Sequence, residues 1–379
     1  MMKKIDPSLL SSTYIQGENK EVECVVYAFN FDAARSFLMR AGYEVLEYPF
    51  IHAFGMRVPV SKLQDIASFN AVQYITTNSK VSALMDISRE VMHINSTKMW
   101  QNYPFTCAVI DTGVQPHIDM SFPKNQIVHF VDLVNGKKKA YDDNGHGTFV
   151  AGVIAGKGIA SGGRYKGVAS GMNLIPIKAL DEKGEAGAFN ILKAMQWVYD
   201  HRKKYNIKVV CMSFGSIPLG RKDPLIMGAE VLWDSGVTVV CAAGNSGPES
   251  ETIRSPGAST KIITVGAMDD HRLKEDFSVA EFSSRGPIYG NYKPDVVAPG
   301  VNIVGACNYK MKKKFYAKMS GTSVAAPMVA GVCCEMLRLK NSLSPNQIKS
   351  IFMETCDPIN YNRNDEGRGV VNFEKILKT

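Results

Sequence analysis

Two apolar runs in this chain each stop at a glycine turn carrying one polar side chain, and they constrain the fold more than any other feature. Thr106-Cys107-Ala108-Val109-Ile110 ends at Asp111-Thr112-Gly113, and Val237-Thr238-Val239-Val240-Cys241-Ala242 ends at Ala243-Gly244-Asn245. Uninterrupted β-formers of this kind are buried on both faces, as in the interior of a parallel sheet. Parallel neighbours need crossover connections, and helical patterns at residues 188–205 and 224–235 supply them. With further strands expected at 173–179, 209–214 and 262–266, the alternation predicts an α/β fold built on a doubly wound, mostly parallel sheet. Open sheets of this type collect their functional groups at the carboxyl ends of the strands, where Asp111 and Asn245 fall.

Two more segments carry chemistry. Asp143-Asn144-Gly145-His146-Gly147-Thr148 sets a histidine between glycines, so that backbone can approach it closely. Ser320-Gly321-Thr322-Ser323 leads from a small-residue turn into an apolar helix over 324–337, with Pro327 expected in its first turn. A serine there is flanked by free N–H groups and the positive end of a helix dipole, which suits a developing oxyanion. Taken singly, Ser323 reads as a helix cap, Asp111 and Asn245 as turn residues, and His146 as one histidine among seven. Taken together, and in this chain order, they read as a nucleophile, a base, an orienting carboxylate and an oxyanion donor.

Together these stretches resemble the subtilisin-family serine proteases (peptidase family S8). Ser283-Ser284-Arg285-Gly286-Pro287 and Lys293-Pro294-Asp295-Val296-Val297-Ala298-Pro299-Gly300 extend the likeness, which covers residues 105–335 in the family's order. In overall look the chain is similar to bacterial intracellular subtilisin-like proteases with an N-terminal propeptide. The Asp-His-Ser order and the oxyanion asparagine are the standard description of subtilisin, so the roles follow from the resemblance. It implies that Ser323 attacks the peptide carbonyl, His146 moves the proton, Asp111 orients the imidazole, and Asn245 with the Ser323 N–H holds the oxyanion. Ser213-Phe214-Gly215 and the segment ending at Gly187 match the two strands that flank an extended substrate, and a gapped match puts Arg254 near the base of the specificity pocket. An α/β-hydrolase is disfavoured by the triad order and by the missing second glycine after Ser323. The alternative from another class is a non-catalytic subtilisin-like regulatory protein.

The chain divides near residue 85. Strands at 22–29, 43–48, 52–58 and 72–76, with helices at 32–41 (capped by an Asp) and 60–68, give the β-α-β-β-α-β order of a ferredoxin-like domain. Ahead of a subtilisin-like core this resembles a propeptide, an intramolecular chaperone and inhibitor. The expected division is therefore residues 1–84 as propeptide and 85–379 as catalytic domain, with self-cleavage after Leu84. Leu84 would favour a large apolar residue at the cleaved position. Arg254, if unpaired, would instead favour an acidic one; the leucine carries more weight, because an arginine stem can line a pocket while its head reaches solvent.

Composition bounds the remaining classes. No apolar stretch reaches the ~20 residues of a membrane span, and the N-terminus never develops a signal-peptide core. The eight cysteines sit mostly in apolar runs, not at disulfide spacings, which suits a reducing, cytoplasmic compartment. A net charge of +8, with basic runs at Lys137-Lys138-Lys139 and around 310–314, comes without a nucleic-acid motif and reads as solvated loops. No cofactor is required for the chemistry. Asp119 matches a calcium carboxylate of the family, but the loop 156–165 contains no carboxylate to join it, which argues against that site.

Overall fold

The computed structural model describes residues 4–6, 9, 21–78, 80–83, 92–93, 102–271, 277–308 and 314–379, with 80–83 described by backbone alone. At the N-terminal end, β1 (Glu21–Ala28), β2 (Val45–Tyr48), β3 (Ala53–Pro59) and β4 (Val72–Thr77) form an antiparallel sheet in the order β2-β3-β1-β4, the ferredoxin-like topology. Alternation along β1 sorts its side chains between two cores. Cys24, Val26 and Ala28 join Leu38, Leu63 and Ile66 of the helices Phe31–Arg40 and Leu63–Ser68. Val25 and Tyr27 face the other way and belong to the core of the main body. The first helix is capped by Asn30, whose side chain accepts from the Ala33 N–H at 3.0 Å, and not by Asp32. Asp32 lies in the first turn, where its charge meets the positive end of the helix.

A short strand follows, β5 (Lys80–Ala83), then the main body. Its eight-stranded sheet comprises β6 (Thr106–Asp111), β7 (Val131–Asp132), β8 (Asn173–Lys178), β10 (Ile207–Met212), β12 (Thr238–Ala242), β13 (Ile263–Asp269), β14 (Ser278–Val279) and β15 (Val296–Pro299). The order is β14-β13-β12-β10-β6-β8-β7 with β15 beside β13, and every pairing except β13–β14 is parallel. β6 therefore lies between strands that follow it on opposite sides, a switch point of the kind where such sheets build their sites.

The expected strand over 209–214 is divided. β10 ends at Met212, and β11 (Phe214–Gly215) leaves the main sheet to pair with β5. The helix carrying Ser323 spans Thr322–Leu339, so Pro327 falls beyond the first turn where it was expected. With no N–H, Pro327 leaves the Ser323 carbonyl without its usual helical donor. This helix is long and apolar enough to cross a membrane, but 89% of it is buried and it forms the centre of the core. It packs against the helix His146–Ala155 and against β10, β12 and β13.

Candidate active site

Asp111 ends β6 fully buried, and His146 opens the helix His146–Ala155, also fully buried. Two glycines allow the helix to come this close. A Cβ on Gly147 would stand 2.1 Å from the Gly113 carbonyl oxygen and 3.1 Å from Asp111 Oδ1, and Gly113 itself has φ +108° with the Tyr141 carbonyl where a side chain would go. His146 Nδ1 lies 2.7 Å from Asp111 Oδ1, which also accepts the Thr112 N–H at 2.7 Å. An ionised carboxylate there holds the proton on Nδ1 and leaves Nε2 as the basic nitrogen.

Ser323 is the second residue of its helix and is fully buried, with no hydrogen-bond partner for Oγ among the described residues. A helix start leaves the Ser323 N–H without an acceptor in its own helix. Asn245 is held beside it: Asn245 Oδ1 accepts both the N–H and the hydroxyl of Thr322, each at 2.9 Å, while Thr322 Oγ1 accepts the Gly244 N–H at 3.1 Å. These bonds occupy the carbonyl end of the amide and leave its NH2 end outside this pair of contacts.

The flanking segments form a lane for an extended chain. β5 lies between β11 and β9 (Glu185–Gly187), antiparallel to both, with Ala83 opposite Phe214, Ser82 opposite Gly215 and Lys80 opposite Gly187. Ser213, between β10 and β11, is fully buried with Oγ 3.5 Å from Cys211 Sγ. Arg254 is half-buried, with Nε and Nη2 donating to Ser246 Oγ at 3.0 and 2.6 Å. The small domain docks beside this lane. Tyr48 Oη donates to the Phe189 carbonyl at 3.2 Å, and Asn78 Oδ1 accepts the Phe189 N–H at 3.0 Å.

Two supporting residues were not singled out from the sequence. Asp142, 3% exposed, accepts from Thr112 Oγ1, the Asn144 and Gly145 N–H groups, and both the N–H and Oγ1 of Thr148, and so shapes the turn that presents His146. Lys178, fully buried at the end of β8, donates to the Thr112 and Leu180 carbonyls and lies 2.6 Å from Asp143. A lysine closing an apolar strand, Asn173-Leu174-Ile175-Pro176-Ile177-Lys178, was the available signal for it.

Asp119 does not fit the calcium role implied by the resemblance. Its Oδ2 accepts the Tyr316 hydroxyl at 2.6 Å and its Oδ1 the Ala160 N–H at 3.0 Å. The neighbouring carbonyls of Phe122 and Lys124 receive the Lys157 ammonium at 3.0 and 2.6 Å. A carboxylate facing donors, beside an ammonium that already takes the free carbonyls, is a poor cation site. Among the described residues no cluster of three or more His, Cys, Asp or Glu could hold a metal.

Comparison with known proteins agrees with the geometry. A profile of the subtilase family (peptidase S8) matches residues 105–373, more than half of the chain. Serine protease AprX of Bacillus subtilis strain 168 is 38% identical over 331 residues, 81% of this chain and 74% of that protein. The major intracellular serine protease of the same organism is 30% identical over 79% of this chain and 91% of its own length. Among solved structures, fervidolysin from Fervidobacterium pennivorans, a keratinolytic enzyme related to subtilisin, superposes with a TM-score of 0.75 over 96% of this chain and 62% of its own, at 22% identity, which speaks for the fold alone. The chain belongs to the subtilase family and is a subtilisin-like serine endopeptidase.

Proposed function

We propose that the chain cleaves peptide bonds through an acyl-enzyme on Ser323, with His146 as general base and acid, Asp111 orienting it, and Asn245 with the Ser323 N–H as oxyanion donors. The observation that carries this reading is the double hydrogen bond from Thr322 to Asn245 Oδ1, which ties the β12 turn to the residue before Ser323 and engages the carbonyl end of the amide, leaving the NH2 end as the candidate donor. In the step itself the hydroxyl proton passes to His146 Nε2 as Oγ bonds the carbonyl carbon. Collapse of the tetrahedral species returns that proton to the leaving amine, and water repeats the sequence to release the acid. A fluorophosphonate probe should acylate Ser323, and Ser323→Ala should lower kcat by about 10⁴- to 10⁶-fold while the protein stays folded. Failure of the probe to label, with equal turnover by both proteins, would leave the non-catalytic regulator as the better reading.

Substrates are proposed to be proteins or peptides bound as an extended strand between β9 and β11, by β-augmentation. The chain's own β5 occupies that lane and Asp111, His146 and Ser323 are all buried, which supports residues 1–84 as an inhibitory propeptide ahead of a catalytic domain at 85–379. Leu84 and Met85, proposed to flank the bond cleaved in self-processing, lie outside the described residues. Mass spectrometry of the purified wild type should find a chain starting at Met85, and Ser323→Ala should remain full-length. No cofactor enters the proposed chemistry, and no nucleic-acid or membrane partner is invoked. The eight cysteines form no disulfide, which supports a reducing, cytoplasmic location.

A further inference from the structure

Among the described residues Arg254 is a cation without a counter-charge, and its side chain is set tightly into the fold. Its stem is wedged between two glycines: a Cβ on Gly215 would stand 2.6 Å from Arg254 Cβ, and one on Gly244 would stand 2.4 Å from Arg254 Cγ. Gly215 belongs to the strand that pairs with Ser82, and Gly244 precedes the oxyanion candidate Asn245. The backbone fixes this placement, since the Arg254 N–H donates to the Ala243 carbonyl at 2.8 Å and Ser255 pairs with Ser216. The stem is thus held between β11, which flanks the substrate lane, and the turn before Asn245, and its guanidinium sits on Ser246, the residue after Asn245.

Its hydrogen bonds leave it underused. Nε and Nη2 both converge on the neutral Ser246 Oγ, so Nη1 and the second Nη2 proton have no acceptor among the described residues. Among the described residues no carboxylate forms an ion pair with it, whereas the neighbouring Arg285 has Asp365 at 3.6 Å. A half-buried arginine with donors to spare on Nη1 and Nη2 is matched best by a carboxylate, which can take two parallel hydrogen bonds from them.

Building on the proposed protease reading, we infer that Arg254 is the specificity-determining residue of this enzyme and selects substrates with glutamate or aspartate on the acyl side of the cleaved bond. This departs from the apolar preference expected from Leu84. Self-processing is intramolecular, and the effective concentration of a tethered strand drives cleavage without a matching side chain. A substrate arriving from solution has no such help and depends on the pocket.

The test uses quenched-fluorescence peptides that differ at one position (Glu, Gln, Leu or Lys), cleaved by the mature enzyme after active-site titration with a fluorophosphonate. Glutamate and glutamine are near-isosteric, so their ratio isolates the charge. Wild type is expected to favour Glu over Gln by about 10- to 100-fold in kcat/KM, with the ratio falling in high salt. Arg254→Ala should bring the ratio close to one, and Arg254→Glu should shift preference to Lys. A wild-type preference for Leu that Arg254→Ala leaves unchanged overturns the inference while the protease reading stands. No cleavage of any peptide, together with no labelling of Ser323, overturns both.

Discussion

Replacing Asp142 by asparagine tests whether the turn before His146 is built by one carboxylate. Asp142 Oδ1 accepts from Thr112 Oγ1 at 2.9 Å, the Gly145 N–H at 2.8 Å and the Asn144 N–H at 3.1 Å; Oδ2 accepts the Thr148 N–H at 2.9 Å and its hydroxyl at 2.6 Å. An amide has the same shape but keeps an acceptor on one side only. Its oxygen will stay with the larger group of donors, so its NH2 will face Thr148. The Thr148 hydroxyl can rotate and accept, but it already accepts the Gln115 N–H at 2.9 Å, and the Thr148 N–H can only donate. One buried main-chain donor is then orphaned, at about 1–3 kcal/mol, and the retained bonds lose their ionic character. A total near 3 kcal/mol is expected, a sizeable share of a stability of about 5–15 kcal/mol.

The same substitution loosens the residues on either side of His146, and a displacement of about 1 Å at a catalytic group can cost about 10²-fold. Denaturant unfolding is best compared in a Ser323→Ala background, which would remove the proposed self-cleavage, and kcat in the parent background. Stability within 1 kcal/mol of the parent, together with activity within about threefold, would refute the argument.

Asp295 gives a pH-dependent counterpart. Burial works to raise its carboxyl, but the ammonium groups of Lys293 at 2.5 Å and Lys349 at 2.8 Å outweigh burial and hold it below the usual range, while burial pushes Lys293 down to about 8. A depressed carboxyl contributes stability that is full above its unfolded value near ~4 and is lost as pH falls through the folded one. A depressed lysine binds fewer protons folded than unfolded, so stability from that group rises with pH between about 8 and ~10. Asp295→Asn is expected to cost about 3–5 kcal/mol at neutral pH and to flatten the acid limb below ~4, read as unfolding midpoints across a pH series; an unchanged limb would remove Asp295 as its source. At Asp119, Tyr316→Phe should cost about 1–3 kcal/mol by stripping a buried carboxylate of its donor, and a chelator should shift the wild-type melting temperature by less than about 2 °C. A large loss on chelation, restored by calcium, would reverse the reading of that site.

How much of this was legible in the sequence depended on how local each cause is. Asp111, His146, Asn245 and Ser323 stand in short runs whose small residues exist for close approach, so the letters around each one carry the geometry. The order of strands and helices was legible for the same reason. The break at Ser213 was not, because Phe214 and Gly215 leave the main sheet to pair with Ala83 and Ser82, residues far earlier in the chain. Asp142 was passed over because its ligands include Thr112, brought in by a different strand. The misplaced cap is a finer failure: Asn30 and Asp32 both suit a helix start, and only the backbone decides which stands before the first turn and which within it.

On the proposed reading, the chain restrains its own site chiefly through the small domain. β5 is opposed by two residues of β11 and three of β9, and backbone hydrogen bonds of about 1 kcal/mol each cannot hold so short a strand against its own entropy once it is cut. The persistent contact is elsewhere. Val25, Tyr27, Tyr48, Ile51 and Ala53 are buried in the core of the main body, and Phe50 lies against Tyr199 with ring centroids 5.9 Å apart. Cleavage would therefore free the lane locally while the domain that threaded it stays docked. Full access then depends on removing that domain, whose apolar face is buried against the main body.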